Sequence, residues 1–377
     1  MLDGLRNRFS SIFSTKAKQQ KGGPPYNMAA GIIPGSRPGE LPRMGQSQLI
    51  EGYNLFPWLR AVVNKIADTA AGVEWNVSGK SKDGTLKPVL NHPLVDLLNN
   101  GNEMFSGYTV RHISFVYMLI VGEFFWLKER DSSGTPIALW PLPPSWVIYS
   151  PAFAVGPDGK PSKYQLQFRQ WRALIPFEDI VHIWEPNPTM PYGRGTGRAT
   201  VLSDELETDE FAARHVKAFF YNSARPDLLI SSIDPDLPLN ADDADRLEQR
   251  WLEKNGGWKH AHKPMFVSGG PIKVDEIGST LTDMQFVELR KWLRGTIMQV
   301  YGLPPELLGV LEQSNRATID AAEFFMTKHV VLPKLGFVRN EVQHRLAPEF
   351  DKRLVLGFES PVQVDKEQRL EIMKSDP

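Results

Sequence analysis

Asp283-Met-Gln-Phe-Val-Glu-Leu-Arg-Lys-Trp-Leu-Arg-Gly-Thr-Ile-Met-Gln-Val-Tyr301, running on through Gly302-Leu-Pro-Pro-Glu-Leu-Leu-Gly309 to Ser314-Asn-Arg-Ala-Thr318, decides how the chain is read. Phe286, Leu289, Leu293, Ile297 and Val300 recur at helical spacing, so Asp283–Tyr301 is expected to be an amphipathic helix with one apolar face. Gly302 and Pro304-Pro305 cannot extend it. A loop over Leu308–Arg316 follows. A second long helix is expected over Thr318–Leu346, with Pro333 and Gly336 inside it predicting a kink.

Upstream, a matching helix is expected over Thr200–Asn222, marked by Leu202, Leu206, Phe211, Ala213, Val216 and Phe220. Between the two helices lies a compact β-α-β insert. Its parts are a strand Leu228–Ser231, a helix Ala241–Lys254 with Asn240 as N-cap, and a strand Pro264–Val267.

The earlier half reads as helices followed by hairpins. Leu55, Leu59, Val62, Val63, Ile66 and Ala70 predict one helix over Tyr53–Ala71, stopped by Gly72 before a strand Val73–Val77. A short helix Leu94–Asn99 comes next, then a helix through Ile113, Val116, Tyr117 and Ile120 that Ser106 or Thr109 could cap. Beyond Gly122, strands are expected over Phe124–Glu129, Ile137–Leu142, Trp146–Ser150, Tyr164–Phe168, Ala173–Ile175 and Ile180–Trp184. Asp131–Gly134 and Pro157–Gly159 read as hairpin loops. Helices followed by hairpins make an α+β class.

Composition narrows the function. The chain has 377 residues, 41% of them hydrophobic, enough for a substantial core in two or three folding units. Forty-three Lys and Arg against forty-four Asp and Glu give a net charge of −1, which disfavours a protein that grips nucleic acid through many phosphates. With no cysteine there is neither a disulfide framework nor a thiolate metal site, which fits a reducing cytosol. The most apolar stretch, Ile113–Leu127, is broken by Gly122-Glu123 and falls short of a membrane span. Residues 1–45 carry seven Lys or Arg against Asp3 and Glu40 and read as a mobile basic arm.

Catalytic constellations are sparse, and no catalytic, cofactor or metal residue is assigned. There is no Walker A loop, no His-Glu-x-x-His and no Gly-x-Ser-x-Gly. Tyr192–Gly197 could cradle a phosphate, but lacks the required lysine and glycine spacing and reads better as a flexible linker. His260 and His262 could share a metal, yet no third ligand is evident and a surface loop is favoured. His182, inside an apolar run, reads as a hydrogen-bonded core histidine. Ser203–Glu210 holds five carboxylates, which suit either paired acids or the positive end of a helix dipole, the second being preferred.

The order of these elements resembles the portal family of tailed phages with HK97-like capsids, over roughly residues 50–350. The residues that carry it are His92-Pro-Leu-Val-Asp-Leu-Leu98, Val121-Gly-Glu123, Leu139-Trp-Pro-Leu142, Asp179-Ile-Val-His-Ile183, Ser223-Ala-Arg-Pro226 and the C-terminal stretch quoted first.

The resemblance implies a portal fold with an α/β wing, two-helix stem, small β-α-β clip, long kinked tunnel helix and short crown. Carried over, residues 46–197 form the wing, 198–223 and 283–301 the stem, and 224–282 the clip. Residues 302–317 hold the tunnel loop, 318–362 the kinked helix and wing return, and 363–377 the short or truncated crown. It further implies a ring of typically twelve subunits at one capsid vertex of the virion, assembled in the host bacterial cytoplasm. Such a ring serves genome packaging, retention and ejection and does no chemistry of its own.

Implied partners are double-stranded DNA passing without sequence specificity, a large terminase, the major capsid protein and a head-tail adaptor; no membrane and no cofactor are implied. The implied tunnel loop is Val310, Leu311, Glu312, Gln313, Ser314, Asn315 and Arg316. Channel-lining candidates are Asp204, Glu205 and Glu207. Terminase-docking candidates are Arg246, Arg250, Trp251, Trp258 and Lys259. A gene-transfer-agent portal is the near alternative, and a nucleotide-dependent DNA-processing enzyme resting on Gly193–Gly197 the remote one.

Overall fold

The computed structural model describes residues 44–81, 83–149, 163–189, 191, 194–221, 228–232, 242, 245, 246, 249, 272–276, 283–310 and 316–362. The chain divides into unit 1, Met1–Ser203 with Met298–Pro377, and unit 2, Asp204–Ile297.

Unit 1 opens with α1 (Gln46–Leu55) and α2 (Pro57–Ala71). The single helix expected over Tyr53–Ala71 is thus two, because Pro57 at the first helical position lacks an N–H and starts a new helix after extended Phe56. β1 (Trp75–Lys80), two residues later than expected, precedes β2 (Leu86–Pro88), α3 (Pro93–Asn100) and α4 (Gly107–Val121). Ser106 Oγ caps α4 by accepting from the Thr109 N–H. Buried Arg111 on α4 donates to Ala71 O at 3.0 Å and Leu98 O at 2.8 Å, closing the C-terminal turns of α2 and α3 with one guanidinium.

Six strands follow as two antiparallel sheets. β3 (Glu123–Arg130) lies between β4 (Pro136–Leu142) and β8 (Ile180–Trp184), and β6 (Tyr164–Phe168) lies between β5 (Val147–Tyr149) and β7 (Trp171–Ile175). Phe125, Leu142, Val147, Tyr164, Leu166 and Ile180 form a common core from both sheets. The Asp131–Gly134 hairpin is as expected, with Asp131 accepting from Ser133 and Thr135; Pro157–Gly159 lies outside the described residues.

α5 (Arg198–Val201) and α6 (Ser203–Tyr221) replace the expected continuous helix, with Leu202 between them. In unit 2, β9 (Leu228–Ser232) pairs antiparallel with β10 (Ile272–Glu276), a strand the sequence reading did not anticipate. The expected strand Pro264–Val267 lies outside the described residues. Asp242, Asp245, Arg246 and Gln249 are helical, inside the helix expected there.

α7 (Asp283–Tyr301) has the predicted bounds. α8 (Arg316–Met326), a π-helical turn Thr327–Val331 and α9 (Leu332–Arg345) make up the last helical run. The expected irregularity is a π turn before Pro333, where the missing proline N–H is tolerated at the start of α9; Gly336 sits inside regular helix. β11 (Leu354–Phe358), also unanticipated, returns to pair with β1 from Gly79↔Leu354 to Trp75↔Phe358.

The C-terminal end of α4 is where the chain comes closest to itself. Gly122 ends α4 with φ 79°. Gly197 lies against the Ile120 carbonyl and Gly195 against that of Gly122, so a Cβ on Gly197 would collide with backbone. Tyr301, the last residue of α7, is fully buried and donates its hydroxyl to Leu119 O at 3.0 Å, while Arg198 Nη1 donates to Tyr301 O at 2.8 Å. Gly195, Gly197 and Tyr301 are therefore all held against Leu119–Gly122. Gly197→Ala is expected to lower unfolding stability by about 3 kcal/mol or more, since the opposing atoms are backbone and cannot rotate away. Urea denaturation of the two proteins measures it; an unchanged midpoint would mean the contact is not this close.

Candidate functional site

The acid-rich start of α6 divides into distinct environments. Asp204 is exposed, Glu205 and Glu207 half-buried, and Asp204 and Glu205 lie in the first turn, where the helix dipole favours negative charge. Asp209 is buried and accepts from Arg290 Nε at 2.8 Å, and Glu210 pairs with Arg214 one turn on. His215 stacks on Phe286 with ring centroids 5.0 Å apart. Advancing along α6 from Asp209 to His215 retreats along α7 from Arg290 to Phe286, so the two helices run antiparallel. Asp209 is thus a structural acid, while Asp204, Glu205 and Glu207 hold exposed or half-exposed positions on α6.

The expected tunnel loop is described only at its ends. Val310 donates its N–H to Pro305 O at 3.3 Å after a 3₁₀ turn, Pro305–Leu308, that Gly309 closes at φ 79°. Arg316 is exposed and opens α8. Leu311, Glu312, Gln313, Ser314 and Asn315 lie outside the described residues. Of the terminase-docking candidates, Arg246 is exposed and its Nε donates to Asp242 O at 3.2 Å. Arg250, Trp251, Trp258 and Lys259 lie outside the described residues, as do His260 and His262.

Sequence reasoning missed the most constrained ionic group. Glu123, fully buried at the start of β3, accepts four hydrogen bonds: from Gln46 Nε2 at 2.9 Å, His182 Nε2 at 2.9 Å, the Gly195 N–H at 3.0 Å and Arg194 Nε at 2.5 Å. Arg194 also donates to Val147 O, Pro144 O and Gln46 Oε1. One carboxylate thus joins α1, β3, β8, the edge of the second sheet and the segment leading to α5. The signal was present in the sequence, because an acid heading the apolar run Glu123–Leu127 demands a partner.

Residues 194–197 are consequently a clasp rather than a flexible linker. The Arg194 guanidinium and the Gly195 N–H are engaged by Glu123, Gln46 and the Val147 and Pro144 carbonyls, which takes them away from a phosphate cradle. His182 is the hydrogen-bonded core histidine expected, stacked on Phe125 and Trp184. Among the described residues no three His, Asp or Glu side chains come together as a metal-binding group.

Burial alone would raise the Glu123 carboxyl, but the His182 hydrogen bond, the Arg194 charge and the Gly195 N–H outweigh it and hold it below the usual carboxylate range. Burial pushes the His182 imidazole down, and the neighbouring carboxylate only partly opposes this. The pair is therefore a carboxylate and a neutral imidazole donating from Nε2.

Both folded values lie below the unfolded ones, so the unfolded chain takes up protons first as pH falls. Stability is full above about pH 6.5, declines below it as His182 is drawn to its protonated unfolded form, and declines again in the carboxylate range. The melting temperature should drop between pH 7.5 and 5, and His182→Gln, which keeps a donor but does not titrate, should flatten that slope. Glu123→Gln should cost about 3 kcal/mol by leaving Arg194 uncompensated. Melting curves at both pH values check these; an equal slope in His182→Gln would contradict the assignment.

Residues 57–375 match the family model for phage portal protein. The portal protein of Enterobacteria phage HK97 is 22% identical over 280 residues, covering 71% of this chain and 61% of that one. A chain from the neck of an empty gene transfer agent (GTA) particle, computed with C6 symmetry, superposes with TM-score 0.63 at 21% identity, covering 88% of this chain and 90% of that one. An HK97 family phage portal protein from Corynebacterium diphtheriae does so with TM-score 0.59 at 14% identity, covering 87% and 97%. No helix among the described residues is long and apolar enough to cross a membrane. With the mixed helix and strand fold of those structures and a family match over most of its length, the chain belongs to the phage portal protein family.

Proposed function

We propose that this protein is the subunit of a closed ring at one vertex of a capsid, through which double-stranded DNA is packaged, retained and released. The observation that carries the reading is the family match over residues 57–375. The ring has no chemistry of its own; a large terminase supplies ATP hydrolysis while docked on the 224–282 insert, and a head-tail adaptor later takes that place. The major capsid protein surrounds the 46–197 region. Asp204, Glu205 and Glu207 border the bore, and Val310–Arg316 project into it.

Charge supports this reading. A conduit that lets duplex DNA slide cannot offer many fixed cations, since every neutralised phosphate adds to binding and hence to drag. The net charge of −1 and the acidic start of α6 meet that requirement. Apolar exposure supports it as well: Phe211 on α6 and Trp292 on α7 are 65% and 62% exposed in the isolated chain, and a closed ring gives them neighbours.

A GTA particle is the second setting, favoured by the likeness to GTA neck chains. Gene neighbourhood separates the two: a terminase, protease and capsid set within a complete phage genome, or the same set in a host-encoded cluster lacking replication genes.

Purified protein should appear as annular particles in negative stain, with a mass near twelve times 42.6 kDa. A species that stays monomeric under all assembly conditions would overturn the reading. Deleting Leu308–Ala317 should leave ring formation intact but abolish DNA packaging or retention in a complementation assay. Loss of assembly in that deletion would contradict the loop assignment.

A further inference from the structure

α7 carries a glycine that its own fold does not require. Gly295 lies mid-helix, where glycine is among the poorest helix formers, yet a Cβ built there meets nothing within 4 Å. One turn before it stands Trp292, 62% exposed, so the two positions make a shallow groove walled by an indole on the outward face of α7. Lys291, half-exposed, flanks the groove and makes only a surface pair with Glu288 at 2.9 Å.

α6 carries the complement. Asp204, Thr208 and Phe211 follow one another at i, i+4 and i+7, lie on one face and are all exposed. That stripe presents a knob, Phe211, with acidic groups from Asp204 and nearby Glu207. α7 presents a hole beside an aromatic wall with a lysine at its edge. Two different complementary faces are what a head-to-tail contact needs, whereas a two-fold contact would need one face that complements itself.

We propose that the outward stripe of α6, Asp204–Thr208–Phe211, packs into the Trp292–Gly295 groove of α7 in the next copy of the chain. The proposal rests on the ring reading and names its seam. Phe211 fills the space that Gly295 leaves open, and Trp292 covers it. Asp204, at the N-terminal end of the stripe, stands where the seam meets the bore.

The absence of native cysteine makes the seam directly testable. Gly295→Cys is combined in turn with Asp204→Cys, Thr208→Cys or Phe211→Cys, and each double variant is oxidised after assembly. At least one pair should give a ladder of covalent oligomers that collapses on reduction, while each single variant gives none beyond a dimer. In parallel, Gly295→Leu fits the open space of the isolated chain, so its monomer should melt as the native one does. Its ring fraction should nevertheless fall at least about tenfold, because the added side chain occupies the neighbour's place. If native protein forms rings, none of the three pairs cross-links and Gly295→Leu assembles normally, the seam is wrong and the ring reading stands. If native protein never forms rings, both fall together.

Discussion

A buried carboxylate cannot be left without partners, and the architecture of unit 1 is organised around meeting that demand at Glu123. Its four donors come from α1, β8 and residues 194–195, parts of the chain far apart in sequence. Satisfying it brings Arg194 onto the edge of the second sheet and presses Gly195 and Gly197 against the end of α4. Arg198 donates to the last carbonyl of α7, that of Tyr301, and the Tyr301 hydroxyl on Leu119 O fixes that terminus to α4.

Much of the fold was legible because amphipathic periodicity is a strong local signal. The bounds of α7, a cap on α4 from Ser106 or Thr109, the six strands between Glu123 and Trp184 and the core role of His182 all follow from spacing and capping chemistry. The misplaced boundaries have local causes. Pro57 announced a new helix at its N1 position, but the apolar stripe running through it concealed the break. The π turn at Thr327–Val331 has no residue-level signature beyond a proline two positions later. β10 and β11 depend on partners distant in sequence, and short strands of mixed polarity do not declare such pairing.

The candidate site was legible unevenly for the same reason. A run of acids can be found in sequence, but Asp209 is separated from Asp204 only by its partner Arg290, eighty-one positions away. Glycine-rich residues 192–197 looked like a linker because composition reports the absence of side chains, not what the backbone approaches. Gly295 poses the converse case, a glycine whose own chain leaves its surroundings empty. The family shared with phage portal proteins and the resemblance to GTA neck chains give these features a common setting.

The clasp between Glu123 and residues 194–197 can be observed directly by hydrogen exchange on the native protein. The amides of Gly122 and Gly195, donating to Met118 O and the Glu123 carboxylate, should exchange as slowly as the β3–β8 ladder and lose protection together with it in Glu123→Gln. Rapid exchange at Gly195 beside a protected β3 would mean that the carboxylate does not hold the segment, and the account built on it would fail.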